Sequence, residues 1–258
     1  MLRIWPVEVF TDNYVWVLER QGSGKAAVVD PGEAPPVLTA LAGRGLELAA
    51  VLITHHHHDH VGGLPGIVAR FRPTVVGPAD PRISGVDRAV GDGDLVELPG
   101  LGLELEVVAL PGHTASHLGY VLLGSAFVGD TLFAGGCGRV FEGTMTEMHR
   151  SLTRLAELGP STRVFCAHEY TVANLRFART VEPDSSFLAD RLAAAEAARR
   201  AGRPTVPTTI ADELLGNPFL RCADPAIVAA AEARAGRRLA GPAEVFSVLR
   251  SWKDGWSG

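Results

Sequence analysis

A chain of 258 residues has room for one large domain or two modest ones, and its 47% hydrophobic and 21% charged side chains are those of a globular protein. No apolar run approaches the roughly 18 residues needed to cross a bilayer; 29 acidic against 24 basic side chains, with no Lys/Arg block, offer no basic face for nucleic acid. Cys137, Cys166 and Cys222 are too few and too scattered for a disulfide framework, and the start Met1-Leu2-Arg3-Ile4-Trp5-Pro6 lacks the layout of a signal peptide, so a cytoplasmic protein is expected.

Residues 1–130 carry short apolar segments punctuated by Gly and Pro. Tyr14–Leu18, Ala26–Val29, Ala49–Ile53 and Thr74–Val76 read as strands. Leu103–Val108 alternates with period two, which predicts a half-buried strand. Tyr120–Leu123 and Ala126–Val128 flank Gly124-Ser125 as a hairpin. Helices are expected near 34–43 and 64–71, with Pro35 or Pro36 in a first turn, and over Thr146–Leu155, where His149 is expected on an exposed face. This is a mixed α/β domain with much antiparallel sheet.

From about residue 172 the strand signals stop. Phe187–Arg200 is Ala-rich and full of strong helix formers, and Pro204-Thr205-Val206-Pro207 breaks it. Thr208 or Thr209 then offers an N-cap with Asp212 and Glu213 in the first turn. Pro225–Ala233 and Ala243–Trp252 read as further helices. The division expected is therefore 1–172 for a catalytic domain and 173–258 for an α-helical domain.

Residues 54–60 read Thr-His-His-His-His-Asp-His, so five of nine histidines fall within six positions around Asp59. Neutral imidazoles and a carboxylate are ligands for Zn²⁺ and similar cations. The spacing His55-x-His57-x-Asp59-His60 follows an apolar strand, and Gly62-Gly63 mark a turn beyond it. Expression tags are terminal and lack the interleaved Asp. More ligands must come from elsewhere. His113 in Leu110-Pro111-Gly112-His113-Thr114, Asp130 after Ala126–Gly129, and His168 after Val164–Ala167 all stand at strand ends. His117 reads as a hydrogen-bonded loop histidine.

The order H-x-H-x-D-H, Gly-His, Asp and a later His resembles the metallo-β-lactamase superfamily. The resemblance implies a four-layer αβ/βα sandwich carrying a binuclear centre. His55, His57 and His113 would hold one cation, Asp59, His60 and His168 the other, and Asp130 would bridge; His56 and His58 match variable positions. Gly129-Asp130-Thr131-Leu132-Phe133, Gly136–Thr144, Cys166–Thr171, Asn217–Arg221 and Arg250-x-x-Lys253 narrow this. Together they resemble glyoxalase II, the hydroxyacylglutathione hydrolases, over essentially the whole chain.

That resemblance implies hydrolysis of S-D-lactoylglutathione to D-lactate and glutathione, the second step of methylglyoxal degradation. A metal-bridging hydroxide would attack the thioester, with His55, His57, Asp59 and Asp130 as the catalytic set. Two divalent cations are implied, zinc in the first place, with iron or manganese as alternatives. Arg139, Phe141, Tyr170, Arg250 and Lys253 match the glutathione site, where Arg and Lys would pair with carboxylates. Arg139 stands where others have Lys, and Phe141 where others have Tyr, which removes a hydroxyl. The small-molecule thioester is the expected partner, with no nucleic acid or membrane, and a monomer is expected. The alternatives are a mononuclear-iron glutathione persulfide dioxygenase and a hydrolase of another small thioester or lactone.

Overall fold

In the computed structural model, which describes residues 1–98 and 100–257, the chain divides into two compact units. One comprises Met1–Ala109 and Ser116–Gly129, the other Leu110–Ala115 and Asp130–Gly258.

The first unit opens with β1 (Leu2–Val9), β2 (Asn13–Arg20), β3 (Lys25–Val29), α1 (Ala34–Ala42), β4 (Glu47–Leu52), α2 (His58–Val61), α3 (Leu64–Phe71), β5 (Thr74–Pro78) and β6 (Arg88–Val90). These strands form one sheet in that same order. β1 to β3 are antiparallel, joined by tight turns, and β3 to β6 are parallel. A parallel neighbour needs a crossover, and α1 and α3 supply the first two. Pro in the first turn of each helix fixes its start. Val37 and Leu41 of α1 and Leu64 and Ile67 of α3 are buried against Val15, Val17, Val28, Val51 and Val75 of the sheet. β1 carries no strand signal of its own, because Pro6 interrupts it. Pro6 is tolerated there because β1 is an edge strand.

β7 (Leu95–Leu98), β8 (Leu103–Ala109), β9 (Leu118–Leu122) and β10 (Ser125–Gly129) continue the unit as an antiparallel meander. β8 alternates buried and exposed residues from Leu103 to Glu106, as its period demands. The hairpin expected at Gly124-Ser125 sits one residue earlier. Leu123 and Gly124 both have positive φ (46° and 69°), and Ser125 already pairs with Leu122. Two left-handed residues are what a two-residue hairpin turn requires.

The second unit contains β11 (Leu132–Phe133), β12 (Gly136–Cys137), α4 (Met145–Ala156), β13 (Arg163–Cys166), α5 (Thr171–Val181), α6 (Ser186–Arg200), β14 (Thr208–Thr209), α7 (Ile210–Gly216), α8 (Pro225–Ala235) and α9 (Pro242–Asp254). Side chains cap four of these helices. Thr144 and Glu147 form a capping box on α4, and Ser185, Thr209 and Asp224 accept backbone N–H groups at α6, α7 and α8. α5 was not legible in the sequence: Thr171, Val172, Asn174, Phe177, Thr180 and Val181 are mediocre helix formers. It forms because Leu175 and Ala178 pack on Leu188 and Leu192 of α6, and Phe177 stacks near Phe219 and Trp252.

His149 is a correction to the sequence reading. It is half-buried, with its ring 5.7 Å from that of Phe246 in α9, rather than on an open helix face. Burial holds its pKa below the ordinary value. A base depressed in the fold binds fewer protons than in the unfolded chain. Its contribution is complete above the ordinary histidine value of about 6.5 and falls away as the pH drops below it. His149→Ala is expected to cost about 1 kcal/mol at neutral pH with turnover unchanged. Urea unfolding at pH 8 and pH 5.5 checks this: the parent should lose more stability on acidification than the variant.

Candidate metal centre

The parallel strands β3 and β4 end side by side, and both run directly into polar residues. Asp30 follows β3 and donates its N–H to Leu52 O at 2.9 Å; Thr54 and His55 follow β4. Carboxyl ends of parallel strands are where open α/β sheets present ligands. Asp30 is buried, with φ 52°, and its two oxygens are fully used. Oδ1 accepts Thr54 N–H at 2.7 Å; Oδ2 accepts the Thr54 hydroxyl at 2.7 Å and faces His60 Nδ1 at 3.0 Å.

This network sets the tautomers. Because the Thr54 hydroxyl is donated to Asp30, His55 Nδ1, 3.0 Å from Thr54 Oγ1, carries the hydrogen and donates it there. His55 and His60 therefore both present Nε2 lone pairs. His55 Nε2 lies 3.1 Å from His57 Nδ1, and His60 Nε2 lies 3.4 Å from Asp59 Oδ2. Asn13, just after the β1–β2 turn, donates to Asp59 Oδ2 at 2.9 Å.

α2, which carries Asp59 and His60, is short and pressed against the Pro31-Gly32 segment. Gly62 and Gly63 serve that approach rather than a simple turn. A Cβ on Gly62 would lie 2.7 Å from Gly32 O, and one on Gly63 2.5 Å from Pro31 O. His117 is buried and stacks on His55, with centroids 4.8 Å apart at 24°. His56 turns instead toward Asp80, 3.6 Å away, whose carboxyl Arg82 holds well below the usual carboxylate range. His58 is exposed.

The second unit gathers the other three candidates. Asp130 is buried with one oxygen toward each of two histidines. Oδ2 is 3.4 Å from His113 Nε2 and Oδ1 is 3.3 Å from His168 Nε2. His113 Nδ1 donates to Arg139 O at 2.8 Å, which again leaves Nε2 as the lone pair. Gly112 adopts φ 149° with the Met148 backbone where a Cβ would be, so only glycine can precede His113 there.

These separations bear on whether the donors suit a cation. Two ligands each about 2.0–2.1 Å from one ion, at a near-tetrahedral angle, lie roughly 3.3 Å apart. Every pair above falls at 3.1–3.4 Å. The set contains only imidazole nitrogen and carboxylate oxygen, which fits zinc, iron or manganese.

The five residues expected to contact substrate also lie in the second unit. Phe141 is exposed and meets the His113 ring edge-on at 5.2 Å. Tyr170 stacks flat on His168, 4.6 Å between centroids at 4°. Arg139 Nε and Arg250 both donate to Asp254 Oδ1 at 3.1 Å. Arg250 is buried, with its guanidinium on Cys137 O at 2.8 Å and over the Phe219 ring. Lys253 donates to Asn174 Oδ1, and burial, reinforced by the Arg250 charge, lowers its pKa to about 7. The last turn of α9 is therefore an organised cationic cluster and not a solvated helix end. Asn13, Asp30, Asn174 and Asp254 escaped the sequence reading, since single Asp and Asn residues carry no spacing signal.

Comparison with known proteins decides the family. The Metallo-beta-lactamase superfamily profile matches residues 10–168, and the profile described as "Hydroxyacylglutathione hydrolase C-terminus" matches 169–256. The hydroxyacylglutathione hydrolase of Alkalilimnicola ehrlichii is 53% identical over 98% of this chain and 99% of its own. The chain belongs to the hydroxyacylglutathione hydrolase family of the metallo-β-lactamase superfamily. Among solved structures, ETHE1 from Myxococcus xanthus matches with TM-score 0.66 at 25% identity, covering 99% of this chain and 90% of that one. TTHA1623 in a di-iron-bound form matches with TM-score 0.60 at 25% identity, covering 84% and 100%. The fold is thus the mixed α/β metallo-β-lactamase fold with the helical C-terminal region of this family.

Cys137 and Cys166 flank these motifs but are buried thiols, with pKa values raised by burial, Cys166 to about 12. Neither is a thiolate nucleophile. Asp30→Ala is expected to weaken zinc binding by about 10–100-fold, the usual cost of losing the hydrogen bond behind a ligating histidine. Competition of the apo protein against a chromogenic chelator measures it.

Proposed function

We propose that the chain hydrolyses S-D-lactoylglutathione to D-lactate and glutathione, and so acts in methylglyoxal detoxification in the cytoplasm. The observation that carries this is the arrangement inside the second unit. His113 and His168 face Asp130 and carry Phe141 and Tyr170 against their rings; Arg139 lies over Phe141 and shares Asp254 with Arg250, and Lys253 follows in the same last turn of α9. A ligand bearing two carboxylates beside a reactive thioester suits that layout. The weaker likeness to ETHE1 does not outweigh 53% identity to a named hydrolase.

His55, His57 and His113 would hold one divalent cation and Asp59, His60 and His168 another, with Asp130 shared; zinc, iron and manganese all suit these donors. The di-iron-bound form of TTHA1623 supports two ions. Bound there, such cations supply Lewis acidity, making water a nucleophile near neutrality and polarising a carbonyl. The residues do the rest. Asp59, steadied by Asn13, orients the attacking water. Attack at the thioester carbon is followed by cleavage of the C–S bond. The leaving thiolate, of solution pKa about 8.5, needs little protonation. Arg139, Arg250 and Lys253 hold the glutathione carboxylates, and Phe141 and Tyr170 wall the thioester. We also propose that residues 1–172 act as the catalytic domain and 173–258 as the substrate domain of a monomer.

The direct test is turnover by zinc-loaded protein, with oxygen uptake on glutathione persulfide as the competing outcome. Asp130→Ala should lose at least one metal and nearly all turnover; full activity with unchanged metal content would remove Asp130 from the site.

Lys253 generates a pH prediction. An ammonium with pKa about 7 is charged below neutrality and loses its charge as pH rises through that value. kcat/KM for the glutathione thioester should therefore carry a limb falling above pH 7. Lys253→Arg, which stays charged, should remove that limb in a pH–rate profile. An unchanged limb would assign it to another group.

A further inference from the structure

The segment Thr131–Gly138, with β11 and β12, joins Asp130 to Arg139, and so connects a candidate metal ligand to a candidate substrate cation. Two side chains from and just beyond α7 meet in its backbone. Asn217 is fully buried; its Nδ2 faces Gly136 O at 2.9 Å, Phe133 O at 3.3 Å and Glu213 Oε2 at 2.8 Å, while its Oδ1 accepts Phe219 N–H at 3.0 Å. Glu213 is fully buried as well. Its Oε2 accepts Gly135 N–H at 2.8 Å, and its Oε1 takes the Thr208 hydroxyl at 2.7 Å and the Arg191 guanidinium. The arginine offsets the buried charge, and the carboxylate is saturated.

The loop has little freedom to answer differently. Gly135 is left-handed at φ 72°, and a Cβ on Gly138 would lie 1.9 Å from Asp130 O. The Gly138 N–H closes onto Thr131 O at 3.1 Å. The loop backbone therefore passes directly over the peptide that carries Asp130. Its fixed points are the carbonyls and N–H groups that Asn217 and Glu213 hold.

We propose that Asn217 is a positioning residue for the reaction, bracing the Thr131–Gly138 loop so that Asp130 keeps one oxygen toward His113 and the other toward His168, with Glu213 as its structural support. This rests on the reading of Asp130 as a shared metal ligand. It assigns the Asn-Pro-Phe-Leu-Arg motif a role in metal geometry rather than in substrate contact. Asn217 is the element specific to the loop carbonyls; Glu213 also supports α6 through Arg191.

The test uses full-length protein, with zinc as the probe. For Asn217→Ala we expect apo-protein zinc affinity, measured by chelator competition, to fall at least tenfold. kcat should fall at least tenfold, with KM for S-D-lactoylglutathione within about threefold of the parent. Glu213→Gln keeps an acceptor for Gly135 N–H while weakening the pair with Arg191. It should lower Tm yet retain zinc affinity within about threefold. Zinc affinity that tracks Tm in both variants, or an Asn217→Ala protein that binds zinc like the parent, overturns the proposal. If Asn217→Ala does not fold, Asn217→Ser replaces it, since its hydroxyl cannot reach Phe133 and Gly136; failure of both to fold would make the brace a folding requirement and overturn the positioning role. A parent enzyme inactive on every glutathione thioester would sink the functional reading, and the zinc arm would still decide the brace.

Discussion

A buried carboxylate at the end of β3 determines what the histidine run can do. Asp30 accepts from the backbone and hydroxyl of Thr54 and from His60, and the Thr54 hydroxyl in turn fixes His55. Without it two buried imidazoles would lack a defined tautomer, and their lone pairs would have no defined direction. Parallel pairing of β3 with β4 brings Asp30 beside Thr54, so the network is a consequence of sheet topology. Gly62 and Gly63 then allow the α2 turn to close onto Pro31-Gly32, which sets Asp59 against Asn13.

In the second unit the same problem is solved from the other side of the chemistry. Arg250 and Lys253 would be costly to bury alone. Arg250 lies over Phe219 and donates to Cys137 O and Asp254, and Lys253 lies over Phe177 and Phe219 and donates to Asn174. On the proposed reading, cations held this way would be organised before an anion arrived, so less ordering entropy would be lost on binding. The depressed pKa of Lys253 is the counterpart: the ammonium is short of water and lies beside Arg250, and a carboxylate brought to it would favour its charged form.

Much of this was legible in the sequence because its signals are dense and local. The run from His55 to His60, and the ends of the strands before His113, Asp130 and His168, identify candidate donors without coordinates. The helices α6, α8 and α9 follow from Ala-rich or amphipathic runs ended by Pro or Gly. What could not be read depends on distant pairings. β1 forms because an edge strand tolerates Pro6, and α5 forms because α6 covers Leu175 and Ala178. His149 was misread because Phe246, nearly a hundred positions away in sequence, covers its ring. Asp30 and Asn13 are single residues whose importance lies in what they touch.

The centre we propose holds two cations on seven ligands, with Asp130 common to both. The most direct measurement is a crystal structure of the zinc-loaded protein with anomalous difference maps at the zinc edge. Two peaks are expected, one bound by His55, His57 and His113, the other by Asp59, His60 and His168, with one Asp130 oxygen or both joining them. A single peak, or two peaks without Asp130 as a ligand, would contradict it.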